Sequence, residues 1–207
     1  MKITAIKREK GHLSRLTFEN GESLLIDSDL CAEKCLHEGD MLSPEDKKRL
    51  LTESDYLRAK ARAIRLLDRY TYTESRLLRK LKETGFPAEA AKRAVERLKE
   101  LGLINDREFA LTAAEDLSRR GVSKRAAYAK LLSKGISAKT AKEATEAVAF
   151  DEGGQLKELI ERRYKNKLAA GETQKVFAAL IRKGFSYGAV REALKKYSEE
   201  IEYSEDI

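Results

Sequence analysis

The chain has 207 residues, 42% of them apolar and 37% charged, with 12 glycines, 2 prolines and a formal net charge of +7. That length supports a sizeable core, the apolar share excludes a fully disordered chain, and two cysteines, Cys31 and Cys35, exclude a disulfide framework. No apolar run is long enough to span a bilayer and MKITAIKREK lacks an apolar leader segment, so a cytoplasmic protein without membrane contact is expected.

In chain order, MKITAIKRE, HLSRLTFEN and ESLLIDS predict three short strands. Lys10-Gly11 and Asn20-Gly21 are the turn signals between them, and Asn-Gly is the strongest two-residue hairpin signal. A small antiparallel β-rich cap is expected over residues 1–50, closed by a short helix over 30–36, with SPEDKKRLLTESD leading on. Beyond it Leu, Ala, Glu, Lys and Arg dominate, all good helix formers.

Residues 51–198 state one pattern three times. Aligned on Gly85, Gly135 and Gly184, each copy has a leucine four residues earlier (Leu81, Leu131, Leu180) and a large apolar residue just after (Phe86, Ile136, Phe185). This is the requirement of a Schellman helix end: a left-handed glycine, then an apolar residue packing back on the last turn. A new helix restarts at once, capped by Ser137 and Ser186, with Pro87 in the matching place of the first copy. That following helix carries a stripe at i, i+3, i+4, i+7: Ala91, Ala94, Val95, Leu98; Ala141, Ala144, Thr145, Val148; Val190, Ala193, Leu194, Tyr197. The helix before each glycine turns Leu77, Leu78 and Leu81, then Ala127, Tyr128 and Leu131, then Val176, Phe177 and Leu180 inward, with Thr73, Ser123 and Glu172 or Thr173 as caps.

Each copy has room for one more helix in front. Residues 56–70 would bury Ala59, Ala63, Ile64 and Leu67. Residues 106–120 would bury Phe109, Ala110, Ala113, Ala114 and Leu117, with Asn105 and Glu108 as a capping box. Residues 155–168 would bury Leu156, Leu159, Ile160 and Tyr164. The fold class is therefore mainly α, three tandem three-helix repeats behind a β-rich cap. The expected divisions are 1–50, 51–103, 104–150, 151–198 and an acidic tail, 199–207, that serves solubility.

Residues 1–50 carry a net charge of −1, residues 51–198 carry +13 and the last nine carry −5. A basic body fits contact with nucleic acid or another polyanion, and it also fits a solvated surface on charged helices. The candidate phosphate- or filament-binding residues are Arg62, Arg65, Arg69, Arg76 and Lys80 in the first repeat. The second repeat offers Arg119, Arg120, Lys124, Arg125, Lys130 and Lys134. The third offers Arg162, Arg163, Lys165, Lys167, Lys175, Arg182 and Lys183. Tyr70, Tyr72 and Tyr128 lie near them without forming a stacking ladder.

Catalytic chemistry finds no purchase. Cys31, Cys35 and His37 lack a second ligand pair, so buried reduced thiols are expected and no metal. GFSYGAV lacks the Lys-Ser/Thr ending of a phosphate loop. The two histidines, His12 and His37, both sit near the head, and no Ser-His-Asp or Cys-His set can be assembled. Neither an enzyme nor a cofactor is expected.

YTYTESRLLRKLKETGF (residues 70–86), GLINDREFA (102–110), Arg120-Gly121, LLSKGI (131–136) and the third-copy IRKGF, in that order, resemble the RecX family over about residues 55–198. Asn105 stands where the family often has an acidic residue, and Ala169-Ala170 stand where the other copies have Arg69-Tyr70 and Arg119-Arg120. The resemblance implies an elongated, curved, modular helical array without a catalytic centre. It implies a monomer lying in the groove of a RecA–single-stranded-DNA filament, where it inhibits ATP hydrolysis and strand exchange and blocks filament growth. Single-stranded DNA and, second to it, duplex DNA are the implied nucleic-acid partners.

Two rival readings remain open on the residues alone. One is a recombinase-independent DNA-binding protein with helix-turn-helix-like units, although the third helices are Ala-rich and poor in base-reading Asn, Gln and Arg. The other is a purely structural scaffold, indifferent to charge reversal at Lys124, Arg125 and Lys130.

Overall fold

The computed structural model describes residues 1–205, with side chains through Ser198. The chain divides into two compact units, one ending at Asn105 and the other starting at Asp106.

The first unit opens with β1 (Ile3–Glu9), β2 (Leu13–Phe18) and β3 (Ser23–Asp27), an antiparallel meander in that order. Alternation in β2 and β3 buries Leu16, Phe18, Leu24 and Ile26 on one face. The Asn20-Gly21 signal gives a three-residue loop, Glu19 to Gly21, rather than the two-residue turn expected. Gly21 alone is left-handed (φ 80°), and its N–H donates to the Phe18 carbonyl at 2.9 Å.

Helix α1 (Ser28–Glu33) starts earlier than expected because Asp27 caps the N–H groups of Asp29 and Leu30. It also stops earlier: Cys35 takes the left-handed position (φ 48°), while Leu36 N–H donates to Cys31 O at 3.2 Å and Cys35 N–H to Ala32 O at 3.0 Å. This is the glycine stop without a glycine. It leaves Cys31 buried but Cys35 exposed, so only one thiol is buried as expected.

Helix α2 (Pro44–Leu67) runs unbroken for 24 residues. Ser43 and Asp46 form a reciprocal capping box, Pro44 occupies the first helical position, and no interior Gly or Pro interrupts the run. It therefore crosses the 50/51 division expected between cap and first repeat. Its first half serves the head core, with Leu50 buried beside Phe18 and Ile26 and Ser54 Oγ accepting from Asp27 N–H at 2.8 Å. Its second half turns Ala59, Ala63 and Leu66 into a different core. Ile64, expected inward, is 38% exposed, because Leu66 takes that place.

That second core is completed by α3 (Glu74–Glu83) and α4 (Ala88–Glu100). Ala91 and Ala94 of α4 and Ala59 and Ala63 of α2 are fully buried there, and such small side chains let helices approach closely. Arg93 reinforces the pairing, 4.4 Å above the Tyr56 ring and 3.1 Å from Glu53.

The second unit contains α5 (Asp106–Arg119), α6 (Lys124–Ser133) and α7 (Ala138–Ala147) around Ala110, Ala114, Leu131, Ile136 and Ala141. It continues with α8 (Glu152–Arg163), α9 (Lys165–Ala169), α10 (Thr173–Arg182) and α11 (Tyr187–Glu205) around Leu156, Ile160, Leu180, Phe185 and Val190. The single helix expected over 155–168 begins earlier, at the Asp151 cap, and breaks at Tyr164 (φ −122°, ψ −6°), whose ring and Leu168 both pack on that core. The backbone of α11 continues through the acidic segment to Glu205, and residues 206–207 lie outside the described ones.

The three aligned glycines close α3, α6 and α10 identically. Phe86, Ile136 and Phe185 N–H donate to Leu81, Leu131 and Leu180 carbonyls at 3.2–3.4 Å, and φ at Gly85, Gly135 and Gly184 is 91°, 83° and 90°. Gly102, Gly121 and Gly171 end α4, α5 and α9 with the same pair of bonds. A left-handed L-residue costs about 1–2 kcal/mol, less the extra chain entropy of glycine. Cys35→Gly is therefore expected to stabilise the protein by about 0.5–1 kcal/mol in urea unfolding. Gly85→Ala, whose new Cβ meets open space, is expected to destabilise it by about 1 kcal/mol.

Candidate anion-binding cleft

Three helices of the second unit end in adjacent cations: α5 in Arg119-Arg120, α8 in Arg162-Arg163 and α10 in Arg182-Lys183. Basic residues in a last turn answer the negative end of the helix dipole, so each pair alone needs no ligand. Their convergence is the new fact. Together with Lys130 of α6 they line a cleft of about 700 Å³, walled by Val122, Ala126, Leu159 and Phe185.

The cleft exists because two repeats are bolted together at its floor. Ser123, fully buried, caps α6 by accepting from Ala126 N–H at 3.3 Å and donates its hydroxyl to the Lys183 carbonyl at 3.0 Å. The next residue is Gly184. A Cβ there would lie 2.7 Å from Ser123 Oγ and 3.1 Å from the Ala126 backbone nitrogen. Glycine is thus required twice at this position, for its left-handed backbone and for the close approach of the capping serine. Two further links run alongside: Gln155 Nε2 donates to Ser118 O at 3.3 Å, and Lys124 N–H donates to the Glu152 carboxylate at 3.1 Å. The Gln155 Oε1 atom is buried without a hydrogen-bond partner among the described residues.

The electrostatics are lopsided. Among the described residues Glu158 is the single carboxylate in the lining, and it already holds Arg162 at 3.0 Å. Arg119 is paired with Asp116. Among the described residues no carboxylate lies within ion-pairing range of Arg120, Lys130, Arg163, Arg182 or Lys183. Elsewhere the helices pair their cations along the chain, as in Arg79–Glu83, Lys92–Glu96, Lys142–Glu146 and Lys196–Glu192. In the cleft the residue four positions before Lys130, Arg163, Arg182 and Lys183 is Ala126, Leu159, Ala178 and Ala179, which cannot pair.

Of the candidate cations, the structure brings together Arg119, Arg120, Lys130, Arg162, Arg163, Arg182 and Lys183. It leaves Lys124 and Arg125 exposed at the start of α6, outside the lining. Lys134 lies 5.3 Å above the Phe109 ring. Lys165 pairs with Glu161 at 3.7 Å and Lys175 with Glu172 at 2.7 Å, an interaction that holds the Glu172 carboxyl below its ordinary range. Arg62, Arg65, Arg69, Arg76 and Lys80 belong to the other unit, where Lys80 faces Glu83 at 3.6 Å. Ser137 and Ser186 cap α7 and α11 as expected, and α5 opens directly after Asn105. The roles of Gln155, Glu158 and the Ser123–Lys183 tie are new. Ser123 was legible as a cap, but a bond spanning 60 positions has no local signal.

Among the described residues no cluster of three or more His, Cys, Asp or Glu could hold a metal, and no helix is long and apolar enough to cross a membrane.

The joint predicts an asymmetry between equivalent glycines. Gly85→Ala, whose new Cβ meets open space, is expected to cost only the about 1 kcal/mol of backbone strain. Gly184→Ala is expected to cost more, since it also dislodges Ser123. Ser123→Ala should cost about 1–3 kcal/mol, because the Lys183 carbonyl loses its donor and α6 loses its cap. Equal losses for the two glycine variants in chemical denaturation would refute the close-approach account.

Comparison with known proteins places these features in context. A family model described as RecX, first three-helix domain, matches residues 59–98, the second half of α2 together with α3 and most of α4. The chain is 28% identical over 204 residues to a regulatory protein RecX of Clostridium perfringens strain SM101, covering 94% of this chain and 95% of that one. It is 28% identical over 191 residues to a regulatory protein RecX of Caldanaerobacter subterraneus subsp. tengcongensis, covering 91% and 95%. A crystal structure titled regulatory protein RecX superposes with a TM-score of 0.70 at 22% identity, covering 94% of this chain and 98% of that chain, a likeness of fold.

Proposed function

We propose, from the premise that this chain belongs to the RecX family, that it acts as a regulator of a recombinase filament. It binds the RecA–single-stranded-DNA filament and inhibits ATP hydrolysis, filament growth and strand exchange. The family and the names of its relatives support a regulatory role. The single structural observation that supports the filament reading is the set of five cleft cations left without carboxylate partners. A filament offers DNA phosphate together with acidic protein surface, and either would neutralise them. The chemistry is binding throughout: charge neutralisation with release of counterions, sensitive to salt and indifferent to sequence.

The test is ATP hydrolysis by a bacterial RecA on single-stranded DNA, titrated with this protein at fixed salt. Inhibition is expected at a ratio well below one protein per recombinase. Arg120→Gln and Arg163→Gln are each expected to weaken association. If the contact is to phosphate, each should reduce the slope of log affinity against log salt by about 0.7. Unchanged hydrolysis alongside tight binding to bare DNA would instead favour a recombinase-independent DNA-binding protein.

A further inference from the structure

We propose that the cleft of the second unit recognises a compact run of about three adjacent phosphates and nothing of the bases attached to them. The site stands on the geometry of the cleft and needs no recombinase.

Its size is the first ground. A volume of about 700 Å³ is that of a small-ligand site, far short of a duplex groove. Its charge is the second. Three helix C-termini bring roughly −0.5 each, and this together with Glu158 offsets less than half of the seven cations. Asp116 offsets Arg119 from outside the lining, and among the described residues no carboxylate offsets the self-repulsion of Arg120, Lys130, Arg163, Arg182 and Lys183. Five of the seven are arginines, whose planar forks match phosphate oxygens two at a time.

The third ground is what the cleft lacks. Among the described residues Ser123 and Gln155 are its only neutral side chains able to hydrogen-bond, and both are turned into the joint: Ser123 to Lys183 and Ala126, Gln155 to Ser118, with its remaining oxygen buried. Phe185, the only aromatic residue of the lining among the described residues, is 2% exposed and offers no stacking face. Base recognition requires edge-reading amides or stacking rings. Neither is available, so discrimination between bases is absent and phosphate spacing decides.

Adjacent phosphates of this kind come from a single nucleic-acid strand or from a soluble nucleoside triphosphate or polyphosphate. The test uses the full chain and sodium tripolyphosphate as probe, by calorimetry and by displacement of a fluorescent single-stranded oligonucleotide. One-to-one binding with displacement is expected. The double variant Arg120→Gln/Arg163→Gln should weaken binding of both ligands by about tenfold or more. Lys139→Gln/Lys142→Gln, an equal charge loss at exposed positions outside the lining, should leave both nearly unchanged. Thermal melts of both doubles check that folding is intact, and Arg182→Gln provides an independent single change. A nucleoside triphosphate that outcompetes a tetranucleotide would identify the soluble source; the reverse would identify the strand. Failure of tripolyphosphate to displace the oligonucleotide, or equal losses in the two doubles, would overturn the proposal. Because no recombinase is present, that failure is distinguishable from a negative ATP-hydrolysis assay.

Discussion

A helix ends in open backbone carbonyls, and a chain that must reverse direction every dozen residues meets that problem repeatedly. This protein meets it at seven helix ends with a left-handed residue, and after Gly85, Gly135 and Gly184 an apolar residue packs back on the core. The geometry does more than stop a helix. It sets the direction in which the next one leaves, and with it which faces of three short helices can share a core. Helices of ten residues are unstable alone. Here their persistence depends on that shared core, and the core depends on the turn.

At one place the same turn acts between repeats. Gly184 ends α10, and its bare Cα also makes room for the buried hydroxyl that caps α6. A local stop and a long-range joint thus fall on one residue. The joint in turn draws the cationic ends of α5, α8 and α10 around one concavity. Side chains that dipole complementarity explains one pair at a time become, together, a concentration of charge that calls for an anion.

The sequence made the repeat legible because its signals are local. Gly85, Gly135 and Gly184 at near-constant spacing, the leucines before them and the stripes after them all reflect short-range geometry. Errors arose where tertiary packing decided. Ile64 lost its inward place to Leu66, which continues the i, i+4, i+7 stripe of Ala59 and Ala63 that the core selects. The break at Tyr164 has no Gly or Pro to announce it. Cys35 occupies a glycine's position without being one. The cleft was legible only as scattered cations: seven of those considered converge and the rest do not, and what separates the two groups is the fold around Ser123, not residue type.

The uninterrupted course of α2 has a consequence for how the first unit can come apart. One rod serves two cores, with Leu50 in the first and Ala59, Ala63 and Leu66 in the second. Loss of the sheet would strip the first half of that rod of its support, and loss of α3 and α4 would strip the second. The head is therefore no detachable appendage. It and the first repeat form one cooperative folding unit, and any ancestral rearrangement that exchanged one for the other had to cut inside a helix rather than at a linker.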